Sequence, residues 1–161
     1  MFQVGDKILY PLYGAGIIED IKEKEVLGKK RLYYFLNIPH IKLRIMIPIE
    51  KTSDLGIRKA VNPDVLQHVL NDLYNGATDP LSDDNQRYRR DMNKSKIKTG
   101  DIYKGIEIIR DLTRKSKVKK LGAEDKAMLE NALQILTSEF IQVRGVCKEQ
   151  AVHLLNEVIN V

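Results

Sequence analysis

The chain has 161 residues, which is enough for one compact domain or for two small ones. Apolar residues make up 43% and charged residues 30%, a balance that excludes a disordered chain, and no apolar run approaches the roughly 18–20 residues of a membrane span. The single cysteine, Cys147, excludes an internal disulfide and a multi-cysteine zinc site, while the net charge of +5 is a moderate basic excess. The N-terminus lacks the pattern of a signal peptide, so we expect a cytoplasmic protein in a reducing compartment.

The first part of the chain, residues 1–60, consists of short β-branched and aromatic runs separated by glycine and proline. Such runs predict strands, and Leu27-Gly28-Lys29-Lys30 between two of them predicts a hairpin tip. Four or five short antiparallel strands are too few for a large sandwich. They predict a small, bent antiparallel β-barrel of the SH3 or Tudor type, an architecture that usually serves as a binding module.

The second part, residues 61–161, has the apolar period of helices. Asn62-Pro63 predicts a capped first helix that ends at Asn75-Gly76, and Ser82 is expected to cap a very polar second helix. The third helix is expected to open at Thr99 or Asp101. The last two helices are predicted from about 123 to 143 and from about 148 onward. The chain is therefore predicted to be α+β, with a small barrel followed by an all-α bundle of about five helices.

Basic side chains of the second part are concentrated in two clusters. Residues 87–98 contain six basic residues and one acidic residue, and residues 114–120 contain five basic residues and no acidic one. Such clusters suit a phosphate backbone or an acidic partner, although a solvated helix face explains either cluster equally well on its own. Because the second helix has little apolar surface, we expect its arginines, Arg87, Arg89 and Arg90, to be displayed as a contact surface.

Few residues are candidates for catalysis or metal binding, and this scarcity favours a binding protein over an enzyme. None of the three histidines has a second histidine or a cysteine at metal-ligand spacing, and Cys147 has no histidine near it in sequence. The chain contains neither a nucleophile elbow nor a phosphate-binding glycine loop. We therefore expect no catalytic activity, no cofactor, no metal and no small-molecule substrate.

The N-terminal pattern resembles that of a known family. Val4-Gly5-Asp6-Lys7-Ile8-Leu9-Tyr10-Pro11, followed by Gly14-Ala15-Gly16-Ile17-Ile18-Glu19, resembles the opening of the CarD family of bacterial transcription regulators, whose Tudor-like module also occurs in transcription-repair coupling factor. The similarity continues in order through Arg87-Tyr88-Arg89, Gly100-Asp101 and Ala132-Leu133-Gln134-Ile135-Leu136, and it covers nearly the whole chain.

The resemblance implies that the two parts of the chain bind different partners. The N-terminal domain is expected to bind the β subunit of RNA polymerase, and the helical domain is expected to touch promoter DNA near the upstream edge of the −10 element. The resemblance further implies that the two contacts together stabilise the open complex. The resemblance places polymerase contacts on Lys24, Leu43, Arg44 and Met46. Met46 stands where the family often has a basic residue, and for Leu43 a place in the barrel core is the alternative.

On the DNA side the resemblance places contacts on Arg87, Tyr88, Arg89, Arg90 and Lys126. Family members commonly carry a tryptophan just before this region as a wedge in the minor groove, and this chain has no tryptophan. Asp84 or Gln86 stands at that position, depending on the alignment. Tyr88 is therefore either a substitute wedge or a ring packed against the bundle.

Two other functions remain open. The missing tryptophan favours a polymerase-binding adaptor that makes no productive DNA contact. An RNA-binding protein is the third interpretation, although RNA recognition usually needs exposed aromatic residues and only 6% of this chain is aromatic.

Overall fold

The structure is a computed structural model that describes residues 1–160, and it opens with a β domain. Its strands are β1 (Lys7–Tyr10), β2 (Gly14–Val26), β3 (Lys29–Ile38), β4 (Leu43–Pro48) and β5 (Arg58–Lys59). Short 3₁₀ turns at Pro39–Ile41 and Ile49–Lys51 lie on either side of β4.

The five strands form one antiparallel sheet in the order β4-β3-β2-β1-β5. A register shift between Ile18 and Asp20 bends β2, and the apolar face encloses a small core around Ile8, Tyr34 and Leu36. Beyond Ile21 the β2–β3 hairpin extends past this core with mostly exposed side chains. Within residues 1–160, β4 pairs with β3 alone, so the other edge of β4 has no partner strand.

Six helices follow the sheet. They are α1 (Pro63–Asn71), α2 (Pro80–Asp84), α3 (Gln86–Lys98), α4 (Ile102–Val118), α5 (Ala123–Arg144) and α6 (Lys148–Ile159). Leu66, Ile109, Leu112 and Leu136 are among the residues that form their shared apolar core. The predicted α+β class is confirmed. No helix within residues 1–160 combines the length and the hydrophobicity needed to cross a membrane.

The polar region expected to be one helix capped by Ser82 is two helices. Asp79 caps α2 by accepting the N–H of Leu81, whereas Ser82 is buried inside that helix. Asn85 then adopts an extended conformation, with φ −119° and ψ 105°, and caps α3 by accepting the N–H of Tyr88 at 3.0 Å. Asparagine favours such a cap position because its side chain satisfies an otherwise unpaired helix N–H.

The β domain and the helices are joined by a buried ion pair. The two terminal nitrogens of Arg58 donate to Glu139 at 2.7 and 2.9 Å, and the N–H of Val61 donates to the same carboxylate at 3.0 Å. Arg58 Nε also donates to the Gly100 carbonyl at 2.6 Å. Because Glu139 is only 1% exposed, these bonds hold the sheet in one orientation over α5.

Candidate nucleic-acid interface and exposed sheet edge

The adjacent arginines of α3 have different environments. Arg89 is 6% exposed, and its guanidinium donates to Asp125 of α5 at 2.7–3.2 Å and to the Ser82 carbonyl at 2.9 Å. The expectation that Arg89 is displayed on the surface is therefore wrong. Arg89 and Asn93 lie one helical turn apart on the buried face of α3, where a carboxylate 36 positions further along the chain compensates the charge.

Arg87 and Arg90 lie on the outer faces of the same helix. Arg87 is exposed, and Arg90 has a half-exposed side chain that approaches Glu124 at 3.8 Å and Asp91 at 3.4 Å. Ion pairs of this kind at the surface are weak and exchange readily with other anions. Both arginines are therefore available to a phosphate.

The ring of Tyr88 is half-buried. Its hydroxyl donates to Asp79 at 3.1 Å, and this hydrogen bond to a carboxylate raises the pKa of Tyr88 above the usual tyrosine value. Tyr88 would have to break this bond in order to enter a DNA groove. The geometry favours the packed interpretation of Tyr88 over the wedge interpretation.

The structure brings the two basic clusters to the same end of the helical domain. The Asp83 carbonyl accepts from Lys115 of α4 at 3.2 Å and from Arg89 of α3 at 3.3 Å. Arg89 in turn holds Asp125 at the start of α5. The start of α3, the end of α4 and the start of α5 therefore meet. We call this surface the basic end and define it by Arg87, Arg90, Lys117, Lys119, Lys120 and Lys126.

Most cations of the basic end are unpaired. Within residues 1–160, Arg87, Lys119, Lys120 and Lys126 are exposed and have no carboxylate oxygen within 4.0 Å. The sequence places Arg87 and Lys126 among the candidate DNA contacts but leaves residues 114–120 as a separate charge cluster. Only the fold shows that these residues share one surface.

The candidate polymerase contacts lie on and beyond the free edge of the sheet. Along β4, Leu43 and Ile45 pack against the core while Arg44 and Met46 point to solvent. The Leu43 side chain therefore lies against the core, which is the alternative that the sequence left open, whereas the Leu43 backbone lies on the free edge of the sheet. Lys24 is exposed but lies away from β4. Its cross-strand neighbour is Arg31 of β3, in the part of the β2–β3 hairpin that extends past the core.

The described residues contain little that resembles a reactive centre. Within residues 1–160, no group of three or more histidine, cysteine or acidic side chains is placed to hold a metal ion. Cys147 is exposed at the start of α6. Its backbone N–H donates to the Gln150 side chain at 3.2 Å, a local structural contact at the start of the helix.

Comparisons with known proteins agree with this two-part architecture. The family model described as "CarD-like/TRCF RID domain" matches residues 2–61, and the one described as "CarD, C-terminal domain" matches residues 68–156. A protein of Bacillus subtilis (strain 168) named "Putative transcription factor YdeB" is 42% identical over 150 residues, which cover 93% of this chain and 97% of that protein. The N-terminal match indicates interaction with RNA polymerase, and the chain belongs to the CarD family of transcription factors.

Proposed function

We propose that this protein binds the β subunit of RNA polymerase through the β4 edge and contacts promoter DNA through the basic end, and thereby stabilises the open promoter complex. The observation that carries this proposal is the buried ion pair that links the parts of the protein bearing two unlike surfaces. An unpaired strand edge and a cluster of exposed cations are held in one orientation by the Arg58–Glu139 pair.

The β4 edge suits a protein partner because an exposed strand can add a strand from another chain. Main-chain hydrogen bonds then supply affinity, and the outward side chains Arg44 and Met46 tune specificity. Met46 is 40% exposed, so this contact gains apolar burial on binding.

The basic end suits a duplex because its cations can neutralise phosphates without reading sequence. Arg87, Arg90 and Lys126 supply such contacts, whereas Arg89 acts by holding α3 on α5. Each phosphate contact adds roughly 0.9 to the slope of log affinity against log salt concentration. DNA engagement should therefore weaken steeply as salt rises.

The first test measures the half-life of open complexes formed by a bacterial RNA polymerase holoenzyme, with and without the full chain. We expect the half-life to lengthen, and we expect the double substitution Arg87→Ala and Arg90→Ala to remove most of that effect. In a parallel pull-down the double variant should still bind polymerase. An unchanged half-life with the wild-type protein would contradict the proposal.

A matched pair of variants tests the sheet edge. Met46→Asp places a charge on the outward face of β4, and we expect it to abolish capture of polymerase. Leu12→Asp, at a more exposed apolar position on the β1–β2 turn, should leave capture unchanged. Equal loss of binding in both variants would show that the β4 edge is not the contact.

A polymerase-binding adaptor without DNA contact is the second candidate. The lack of tryptophan and the internal hydrogen bond of Tyr88 favour it, because neither leaves an apolar wedge on α3. Polymerase capture without any change in open-complex half-life would support the adaptor. Absence of polymerase capture would leave RNA as the next partner to test.

A further inference from the structure

We infer that the groove between the Pro39–Ile41 turn, α5 and α6 binds an amphipathic anion, namely an aliphatic chain that ends in a carboxylate. The groove encloses about 570 Å³. This volume lies within the range of roughly 300–1,000 Å³ that is typical of small-molecule sites. Neither β4 nor the basic end contributes a residue to the groove, so the inference goes beyond the proposed function.

The groove lies where the β domain meets the last two helices. Residues of one face of α5, between positions 133 and 141, form one wall, and residues of α6, between 148 and 156, form the other. Each wall covers about 12 Å of helix. The His40 ring lies beside Ser138 of α5, because both side chains come within 2.8 Å of the place that a Cβ on Gly14 would occupy. The turn that carries His40 therefore forms the third wall.

The walls of the groove are aliphatic and only partly covered. Ile41 is 45% exposed and Val152 is 38% exposed, and Leu133 and Ile141 lie partly buried at the surface of the helical core. An apolar ligand would remove these groups from water, which favours binding. No phenylalanine or tyrosine of residues 1–160 lines the groove. The walls therefore suit an aliphatic chain better than a flat ring that needs an aromatic partner.

The groove has a positive charge at one end. Its lining includes no acidic side chain of the described chain, and Lys148 is its one permanently charged residue. Desolvation lowers the pKa of His40, and the nearby charge of Lys148 acts in the same direction, so the ring is neutral at neutral pH. An anion is therefore the charged group that this lining complements.

Lys148 has no structural partner that explains its position. It lies in the first turn of α6, where a cation opposes the helix dipole. Within residues 1–160, no carboxylate oxygen lies within 4.0 Å of its ammonium. The adjacent Glu149 accepts its own backbone N–H, which lowers the pKa of that carboxyl, and so caps the helix. The Lys148 ammonium is therefore available to a ligand carboxylate.

The hydroxyl groups of the groove are already used inside the protein. Thr137 and Ser138 donate to carbonyls of the preceding turn of α5, at 2.6 and 2.7 Å. A ligand carboxylate is therefore expected at the Lys148 end, with its chain along Ile41 and Val152. Such a ligand touches the turn and both helices at once. Because it binds only where these elements meet, it should raise the unfolding temperature.

The first experiment titrates decanoate, below the concentration at which it aggregates, into the isotope-labelled full chain. We expect saturable NMR shifts confined to residues 40–41, 133–141 and 148–156, together with a higher unfolding temperature. Decanol has the same chain without the charge and should bind about tenfold more weakly, as expected for loss of a hydrogen bond to a charged group. Shifts that are spread over the surface and do not saturate would overturn the inference.

A lysine substitution tests recognition of the anion. Lys148→Ala should raise the Kd of decanoate about tenfold, to the level of decanol. Lys104→Ala removes an exposed lysine of α4 outside the groove and should leave both Kd values unchanged. If Lys148→Ala still preferred decanoate to decanol as strongly as the wild type, the assigned carboxylate position would be wrong.

A matched pair of α6 variants tests the position of the ligand. Val152→Asp places a carboxylate inside the groove and should abolish the saturable shifts. Leu154→Asp changes a residue of the same helix that is 41% exposed and does not line the groove, so decanoate binding should persist. Equal effects of the two substitutions would overturn the inference. The experiments use neither polymerase nor DNA, so their failure would leave the proposed function untouched.

Discussion

At the scale of single residues, neighbouring positions of one helix have opposite roles. Arg87 faces solvent, and Arg89, two positions later, is enclosed by Asp125 and the Ser82 carbonyl. Buried charges need a partner because desolvation of an unpaired ion is costly. Loss of Arg89 should therefore act on folding, whereas loss of Arg87 should act on binding.

We expect Arg89→Ala to lower the free energy of unfolding by about 3–5 kcal/mol, because it leaves the carboxylate of Asp125 buried without its cation. Arg87→Ala removes an exposed cation and should change that free energy by less than about 0.5 kcal/mol. Urea unfolding followed by circular dichroism distinguishes the two. A stable Arg89→Ala protein with impaired DNA binding would contradict the structural role.

His40 is expected to make the free energy of unfolding depend on pH. Its ring lies beside Gly14 of β2, and burial, with Lys148 nearby, lowers the pKa of His40 below its ordinary value of 6.5. A histidine with a depressed pKa binds fewer protons in the folded state than in the unfolded state. Its contribution to stability is therefore present above about pH 6.5 and is lost as the pH falls toward the depressed pKa.

We expect the free energy of unfolding to fall between pH 7.5 and pH 5.5, and we expect His40→Gln to make that fall smaller. Urea unfolding at both pH values provides the measurement. An identical pH response in wild-type and His40→Gln proteins would show that another group is responsible.

At the scale of elements, the connection from α3 to α4 depends on a glycine. Gly100 has φ +72°, and a Cβ there would lie 2.8 Å from Pro11 Cγ and 2.9 Å from the Gly56 carbonyl. Glycine therefore permits both the left-handed turn and the close approach of the β domain. Gly105, inside α4, has open space where its Cβ would be.

We expect Gly100→Ala to destabilise the protein by more than about 1–2 kcal/mol, since the strained backbone and the contact with Pro11 act together. Gly105→Ala should instead stabilise the protein by about 0.5–1 kcal/mol, because alanine is a better helix former and meets no neighbour. Thermal unfolding of the two variants checks that one substitution lowers the stability and the other raises it. Two shifts of the same sign would contradict this account of the connection.

At the scale of the whole molecule, the Arg58–Glu139 pair links the β domain to the helices. It is supported by backbone contacts, since the N–H of Ala15 donates to Ser138 Oγ at 3.0 Å and Gln142 donates to the Gly16 carbonyl at 2.6 Å. Under the proposed function, this joint sets the distance between the polymerase contact and the DNA contact. A loosened joint would let each contact form without reinforcing the other.

We expect wild-type protein to unfold in a single calorimetric transition and Glu139→Ala to unfold in two, with the joint weakened by about 3–5 kcal/mol. Glu130→Ala changes an exposed acid on the same helix and should keep the single transition. A single transition at the wild-type temperature in Glu139→Ala would show that other contacts hold the domains together.

The sequence by itself determined the α+β class and several helix ends, because strand alternation, helix periodicity and caps are local signals. Asn62-Pro63, Asp101 and Lys148 mark helix starts in the structure as the sequence predicted. The family resemblance was also legible in the sequence, since its motifs lie in order along the chain. The first helix nevertheless ends at Asn71, before the predicted Asn75-Gly76, because turns rather than further helix follow it.

Only the tertiary structure decided which cations are available to a partner. Arg89 looks like its neighbours in sequence, and its burial depends on Asp125, a residue of another helix. The proximity of α3 to the α4–α5 connection likewise depends on how the helices pack. Charge pairing and burial act through space, so residues far apart in the chain determine whether a basic side chain holds the fold together or remains free to bind.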